Sequence, residues 1–319
     1  MTLPRSQLIS PAHTPYYHCI ARCVRRSWLC GEDTYTGKNF DHRKPWLLER
    51  LALLTQVFAI RIAGFSIMSN HYHAILYIDQ SLASSFSDEE VIDRWHQLYT
   101  GSPLAIRYRK GETLLPAERD LLKLTVARWR VRLASISWFM RGLNEFIARK
   151  ANKEDGCKGR FWEGRFKSQA LLDERALLAC LAYVDLNPIR AGIAGNLETS
   201  DYTSVQARIE ELKGNHSKEA PALMPFSESS LQKETQPAIP FALKDYLELV
   251  DWTGRCVRND KKRSINPTEP QILQTLGLND AEWQHLALTL QKKAIRAMNG
   301  WDRVAKLREQ QNRAKKVSK

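Results

Sequence analysis

The chain lacks any run of the roughly 18 uninterrupted apolar residues that a bilayer-spanning helix needs. Its first residues, MTLPRSQLISPAH, lack the apolar core of a secretion signal. Cys19, Cys23, Cys30, Cys157, Cys180 and Cys256 form no C-x-x-C pair, which argues against a structural zinc or disulfide framework. No G-x-x-x-x-G-K-[ST] loop is present, so nothing points to a Walker-type nucleotide site or a helicase domain. These absences predict a cytoplasmic protein with no membrane partner. Acidic residues are the minority: 35 Asp and Glu against 48 Lys and Arg leave a formal charge of +13. A surplus of that size favours a polyanionic partner, nucleic acid first, through phosphate contacts and counterion release. With 43% hydrophobic residues in 319, the chain has enough apolar material for one large core or two modest ones.

Periodicity predicts an α+β fold. YYHCIARCV, 16–24, has strand character, and Trp46, Leu47, Leu51, Leu54 and Val57 recur at helical spacing over 41–58. AIRIAGFSI, 59–67, and SNHYHAILYI, 69–78, read as paired strands with a bend at Ser69 and Asn70. Residues 80–120 are polar and irregular and predict an insertion with one helix near 88–99. One long helix follows, in which Trp129, Leu133, Ile136, Met140, Leu143 and Ile147 make an apolar stripe while Arg128, Arg132, Arg141, Arg149 and Lys150 face outward. GRFKSQAL, 164–171, is the last strand, and the helix after it is capped by Asp173 and stopped by Pro188. The expected architecture is an antiparallel sheet of four to five strands flanked by helices over residues 1–200, with the insertion near 80–120. A linker rich in Ser, Pro and charge is expected over 201–240. A helical extension over 241–319 follows, with helices at 241–256 and 279–298 and a basic tail that holds ten Lys or Arg against two acids from Lys292 to Lys319.

Three constellations carry chemistry. In a strand alternate side chains share a face, so His71 and His73 project together, about 7 Å apart at Cα, while Tyr72 points to the other side. Such a pair can converge on one cation, although an isolated H-x-H is more often two satisfied core histidines. On the last helix Tyr183 and Asn187 are neighbours at i and i+4. The carboxamide oxygen is a legitimate ligand for a hard cation and the phenol a possible nucleophile, whereas a helical Tyr taken alone is usually a packing residue. In KGRFWEGRFKSQ, 158–169, Arg160, Arg165 and Lys167 alternate with Phe161, Trp162 and Phe166. That mixture suits phosphate contacts combined with stacking on unpaired bases; it suits a basic loop running into a core strand equally well.

Taken together, His71-Tyr72-His73, then GRFWEGRF, then Tyr183-x-x-x-Asn187-Pro188 within AYVDLNPIRAG resemble the HUH single-tyrosine transposases. The likeness is strongest to the REP-associated tyrosine transposases, relatives of the insertion sequence two hundred group. It covers about residues 14–195, and DYLELVDWTGRCVRNDKK, 245–262, resembles the C-terminal extension of longer members. The resemblance implies a ferredoxin-like HUH nuclease core and a metal-dependent single-strand DNA endonuclease and strand transferase. Tyr183 is then the nucleophile, His71, His73 and Asn187 the metal ligands, and Arg160, Trp162, Arg165 and Lys167 DNA contacts. The implied cofactor is a divalent metal, Mg2+ or Mn2+, two imidazoles suiting Mn2+ better. The implied partner is single-stranded hairpin DNA of the REP type, bound by a monomer or homodimer. Relatives of the insertion-sequence type carry a glutamine where this chain has Asn187, so its helix must approach the cation more closely.

Three other readings stay open on the residues alone. One is a regulator that binds nucleic acid without cutting it. A second is a replication initiator or relaxase with the same HUH chemistry, though the Tyr183 helix has no second tyrosine. A third is a small-phosphoester hydrolase, which would not need the +13 charge.

Overall fold

The β-branched and aromatic residues of Tyr16–Arg22 (β1) place it in a sheet with Ile60–Ile67 (β2), His71–Ile78 (β3) and Lys167–Ala170 (β4). In this computed structural model residues 9–24, 29–33, 36–215, 220–227, 236–257 and 270–289 are described. The four strands lie in the order β2-β3-β1-β4 and every neighbouring pair is antiparallel. Helix α1, Arg43–Val57, connects β1 to β2. The β2–β3 turn falls at Ser69 and Asn70, closed by the Met68 amide donating to the His71 carbonyl at 2.9 Å. The fold is α+β, a four-stranded antiparallel sheet flanked by helices. The order 4-1-3-2 is that of a split β-α-β-β-α-β arrangement.

The region 80–120 differs from expectation: it is mostly helical. Gln80–Ser85 (α2), Asp88–His96 (α3) and Pro103–Arg109 (α4) precede Pro116–Leu133 (α5). Asp88–His96 meets the helix expected near 88–99, with Val91, Ile92 and Trp95 on its buried face, whereas α2 and α4 are too short to display an apolar period and are defined by their caps. The Asp79 carboxylate accepts from the Leu82 amide at 2.9 Å, the Ser102 hydroxyl from Ala105 at 3.1 Å, and Ser87 with Glu90 forms a capping box. The single long helix is also two, α5 and Ile136–Glu154 (α6). The chain leaves helical geometry at Ser135 (φ −108°, ψ 116°), where the freed Leu133 carbonyl accepts from the Ala59 amide at 2.9 Å. The apolar spacing runs on across the break because both helices face one core: Trp129, Leu133, Ile136, Met140, Leu143 and Ile147 are all buried. The outward basic face is largely engaged within the protein. Arg132 lies 4.4 Å over Trp138, Lys150 lies 4.2 Å over Trp46, and Arg141 and Arg149 pair with Glu145.

Each sheet face has its own core. Tyr17, Cys19, Phe65, Ile67, Tyr72, Ala74 and Leu76 pack with α1 and α6, whereas Ile20, Ala63 and Ile75 pack with Glu174–Asp185 (α7). Asp173 caps α7 as expected, accepting from the Ala176 amide at 2.7 Å. The helix stops at Asp185, and Pro188 sits in the first turn of a short continuation, Asn187–Arg190 (α8). Gly64, beside a bulge in β2, lets α7 come close: a Cβ there would lie 2.9 Å from Leu181 Cδ2.

Helix α7 is buried from Leu177 to Asp185, all the way round, because the C-terminal segments cover its outer side. Within the stretch read as a linker, Ser204–Leu212 (α9) packs on β2, and Met224 donates its amide to the Ile62 carbonyl at 2.8 Å. Leu243–Val257 (α10) and Gln271–Thr275 (α11) follow, with residues 280–289 again helical. Asp185, buried, accepts from the Ser204 hydroxyl, the Val205 amide and the Tyr246 hydroxyl, so α7, α9 and α10 meet at one carboxylate. The rest of the expected 279–298 helix and the basic tail lie outside the described residues. Among the described residues no helix is long and apolar enough to cross a membrane.

Candidate functional site

The strand register brings the histidines together. Ile20 of β1 pairs with His73 of β3, Arg22 with His71 and His18 with Ile75, so His18, His71 and His73 share one face as diagonal neighbours. Ring centroids are 4.9 Å apart for His71 and His73 and 5.1 Å for His18 and His73. Tyr183 descends from α7 onto this cluster, 5.5 Å from His73 and 6.2 Å from His18 between centroids, edge-on to both. Asn187 stands one helical turn beyond it, at the start of α8. Tyr72 lies on the opposite face, donating its hydroxyl to Asn144 Oδ1 at 2.7 Å.

The outer hydrogen bonds bear on which imidazole nitrogens remain available. His71 Nδ1 is 2.7 Å from Asn70 Oδ1, an acceptor, so His71 carries its proton on Nδ1 and keeps a lone pair on Nε2. His73 Nδ1 is 2.9 Å from His18 Nε2, and His73 Nε2 is buried without a hydrogen-bond partner. A buried polar nitrogen with no partner costs free energy. Pairing by a ligand removes that cost if His73 holds its proton on Nδ1 and donates to His18, the arrangement typical behind a metal-bound imidazole. The Asn187 carboxamide approaches the Tyr183 hydroxyl, but its Nδ2 makes no well-formed hydrogen bond. Among the described residues no group of three or more His, Cys, Asp or Glu side chains is arranged to hold a metal. The His71 and His73 Nε2 atoms and the Asn187 carboxamide, the set expected from the sequence, are donor types that a divalent cation takes.

Burial sets the protonation states. It pushes His18 and His71 down to about 4, helped at His71 by Arg22, and holds His73 well below the ordinary range, helped by the other two rings. All three are neutral at pH 7, the state in which imidazole binds metal. Burial pushes the Tyr183 phenol up to about 12, against an opposing effect of Arg190, so the resting residue is a neutral phenol. The histidine shifts predict a pH dependence. Unfolded histidine titrates near 6.5, so below that pH the unfolded chain takes up protons that the folded chain refuses. Stability is therefore fully present above about 6.5 and is lost as pH falls toward 4. Asp185, raised by burial, acts in the opposite sense, but as one group against three. The thermal midpoint in chelator falls steadily between pH 7 and pH 5; a flat or rising midpoint contradicts this.

The basic-aromatic segment separates into inward and outward residues. Phe161 and Phe166 are buried, and Arg160 and Arg165 are exposed. Lys167, half-buried on β4, pairs in register with Ile20, which pairs with His73, so it occupies the histidine face. Trp162 is half-buried: its ring lies 5.8 Å from Tyr72 and 5.0 Å from Phe161, and its indole N–H donates to the Asn144 carbonyl at 2.8 Å. Alternation on an irregular loop does not reveal which side chains turn inward; tertiary contacts decide it. Trp162→Ala is expected to lower stability by about 2–3 kcal/mol, below the range for a fully buried Trp. A drop in hairpin affinity at unchanged thermal midpoint would instead favour stacking.

Sequence reasoning missed His18, Asn70 and Arg190. His18 is invisible without the register, because only pairing with β3 brings it to His73. Arg190 had a signal: it follows Asn187 by three residues and Tyr183 by seven, the same helical side.

No protein-family model matches the chain, and no curated protein matches it. Among solved structures, a REP-associated tyrosine transposase bound to a REP hairpin overlaps 73% of this chain and 100% of its own, with 12% identity and a TM-score of 0.36. An overlap of that quality does not establish a shared function.

Proposed function

We propose that the chain is a transposase-type DNA enzyme, a metal-dependent single-strand endonuclease and strand transferase acting on REP-type hairpin DNA, with Tyr183 as nucleophile. The observation that carries the reading is the juxtaposition of the Tyr183 phenol with His73, whose buried Nε2 has no partner, and with Asn187 at the next helical turn. The charge of +13 and the sequence resemblance to HUH single-tyrosine transposases support it. His71, His73 and Asn187 would hold Mg2+ or Mn2+, which, when bound, neutralises charge developing on the phosphoryl oxygens. The phenol attacks phosphorus, the bond to the 3′ oxygen breaks, and that oxygen receives, in net terms, the phenolic proton. The products are a 5′-phosphotyrosine and a 3′-hydroxyl. A different 3′-hydroxyl reverses the step, so strands exchange without nucleotide hydrolysis. Arg160, Arg165 and Lys167 supply phosphate contacts beside the site, and unpaired bases suit such a loop better than duplex does. A phenol whose pKa is about 12 needs this assistance at neutral pH.

The test uses single-stranded hairpins carrying short flanks and a 3′ label, incubated with Mn2+ and resolved on denaturing gels. The label is expected to migrate with the protein, and to stay with DNA when EDTA is present. One second reading has an observation behind it: Tyr183 is only 4% exposed, as a packing residue would be. A hairpin-binding protein without nuclease activity would bind these oligonucleotides and give no adduct in any metal.

A further inference from the structure

We infer that Arg190 is a phosphate-binding residue of the Tyr183 site, taking a non-bridging oxygen of the phosphodiester that the tyrosine attacks. The inference rests on the proposed nuclease reading and adds a residue to it. Arg190 closes the short helix α8, and its guanidinium carbon lies 5.5 Å from the Tyr183 ring centroid. Its Nε and Nη1 are buried and have no hydrogen-bond partner. Among the described residues no carboxylate forms an ion pair with it, and the charge influence resolved on it is that of Tyr183. The nearest acid on the tyrosine helix, Asp185, is committed to Ser204, Val205 and Tyr246.

Arg190 as a residue is half-buried, but buried guanidinium donors without partners are costly unless something pairs them. Here, among the described residues, the protein supplies no anion, and the neighbouring group is the Tyr183 phenol. An incoming phosphodiester supplies a singly charged oxygen at the place where both donors and charge are unused. Guanidinium suits that partner because it stays protonated and forms strong charge-assisted hydrogen bonds to phosphate. Its value grows as charge accumulates on the equatorial oxygens during attack, which makes it a transition-state contact as well as a binding contact.

The test pairs the side chain with the charge it is proposed to meet. Adduct formation is measured for wild type, Arg190→Gln and Arg190→Lys on a normal hairpin and on one whose cleaved phosphate is a neutral methylphosphonate. On the normal hairpin Arg190→Gln is expected to slow adduct formation on the order of a hundredfold, with Arg190→Lys intermediate. On the methylphosphonate wild type and Arg190→Gln should differ by less than about threefold, because no anion remains to hold. A merely structural role predicts the same penalty on both substrates, and that result overturns the inference. Equal rates for wild type and Arg190→Gln on the normal hairpin overturn it as well. Thermal midpoints of the variants report folding, and if Arg190→Gln does not fold, the same comparison is read from Arg190→Lys. Absence of any adduct with wild type defeats the nuclease reading itself, and the inference with it.

Discussion

Replacing Tyr183 by Phe abolishes the covalent protein–DNA adduct and strand cleavage while leaving hairpin affinity within about twofold. The expected loss is about four orders of magnitude or more, as for removal of other enzymic nucleophiles. Phe keeps the ring that meets His73 and His18 edge-on, so the helix remains seated on the sheet. The hydroxyl contributes little to folding, since its contact with Asn187 is not a well-formed hydrogen bond. Stability should therefore stay close to wild type, and the activity loss cannot be attributed to unfolding. Equal cleavage by the two proteins would remove Tyr183 from the chemistry, and metal-dependent turnover of a small phosphoester unaffected by Tyr183→Phe would favour the hydrolase reading.

His73→Ala in limiting Mn2+ is expected to lower adduct formation by about two to three orders of magnitude, with partial recovery as Mn2+ is raised. The estimate follows from losing one of three proposed ligands to a cation whose charge stabilisation is worth several kcal/mol. The substitution also removes the partner of His18 Nε2 inside a buried cluster, so it costs stability too. Metal titration followed by Mn2+ electron paramagnetic resonance separates the two effects, because weakened binding appears there without any turnover. His71→Ala should behave alike while disturbing the core less, since His71 is half-buried and its outer partner is the adjacent Asn70. Unchanged Mn2+ affinity in both variants would exclude these histidines as ligands.

The parts of this arrangement that were legible in the sequence are those fixed by local rules. Two-residue alternation put His71 and His73 on one face and Tyr72 on the other, and i, i+4 spacing put Asn187 beside Tyr183. Asp173 announced the start of the tyrosine helix. What was not legible depends on contacts distant in sequence. His18 joins the cluster only through the β1–β3 register, and Trp162 turns inward because Tyr72 and Asn144 wait for it. The break at Ser135 is not legible because periodicity measures which face is apolar, not whether the backbone is continuous. The stretch 201–240 reads as polar and Pro-rich, yet Ser204 and Val205 reach the buried Asp185, which fastens the outer segments to the helix that carries Tyr183.

The proposed reaction joins one particular phenol to DNA. Wild-type protein is incubated with a single-stranded hairpin and Mn2+, digested with nuclease and protease, and its nucleotide-bearing peptide is sequenced by tandem mass spectrometry. The expected product is a nucleotide linked through its 5′-phosphate to Tyr183; a modification on any other residue, or cleaved DNA with no modified peptide, would contradict the proposed reaction.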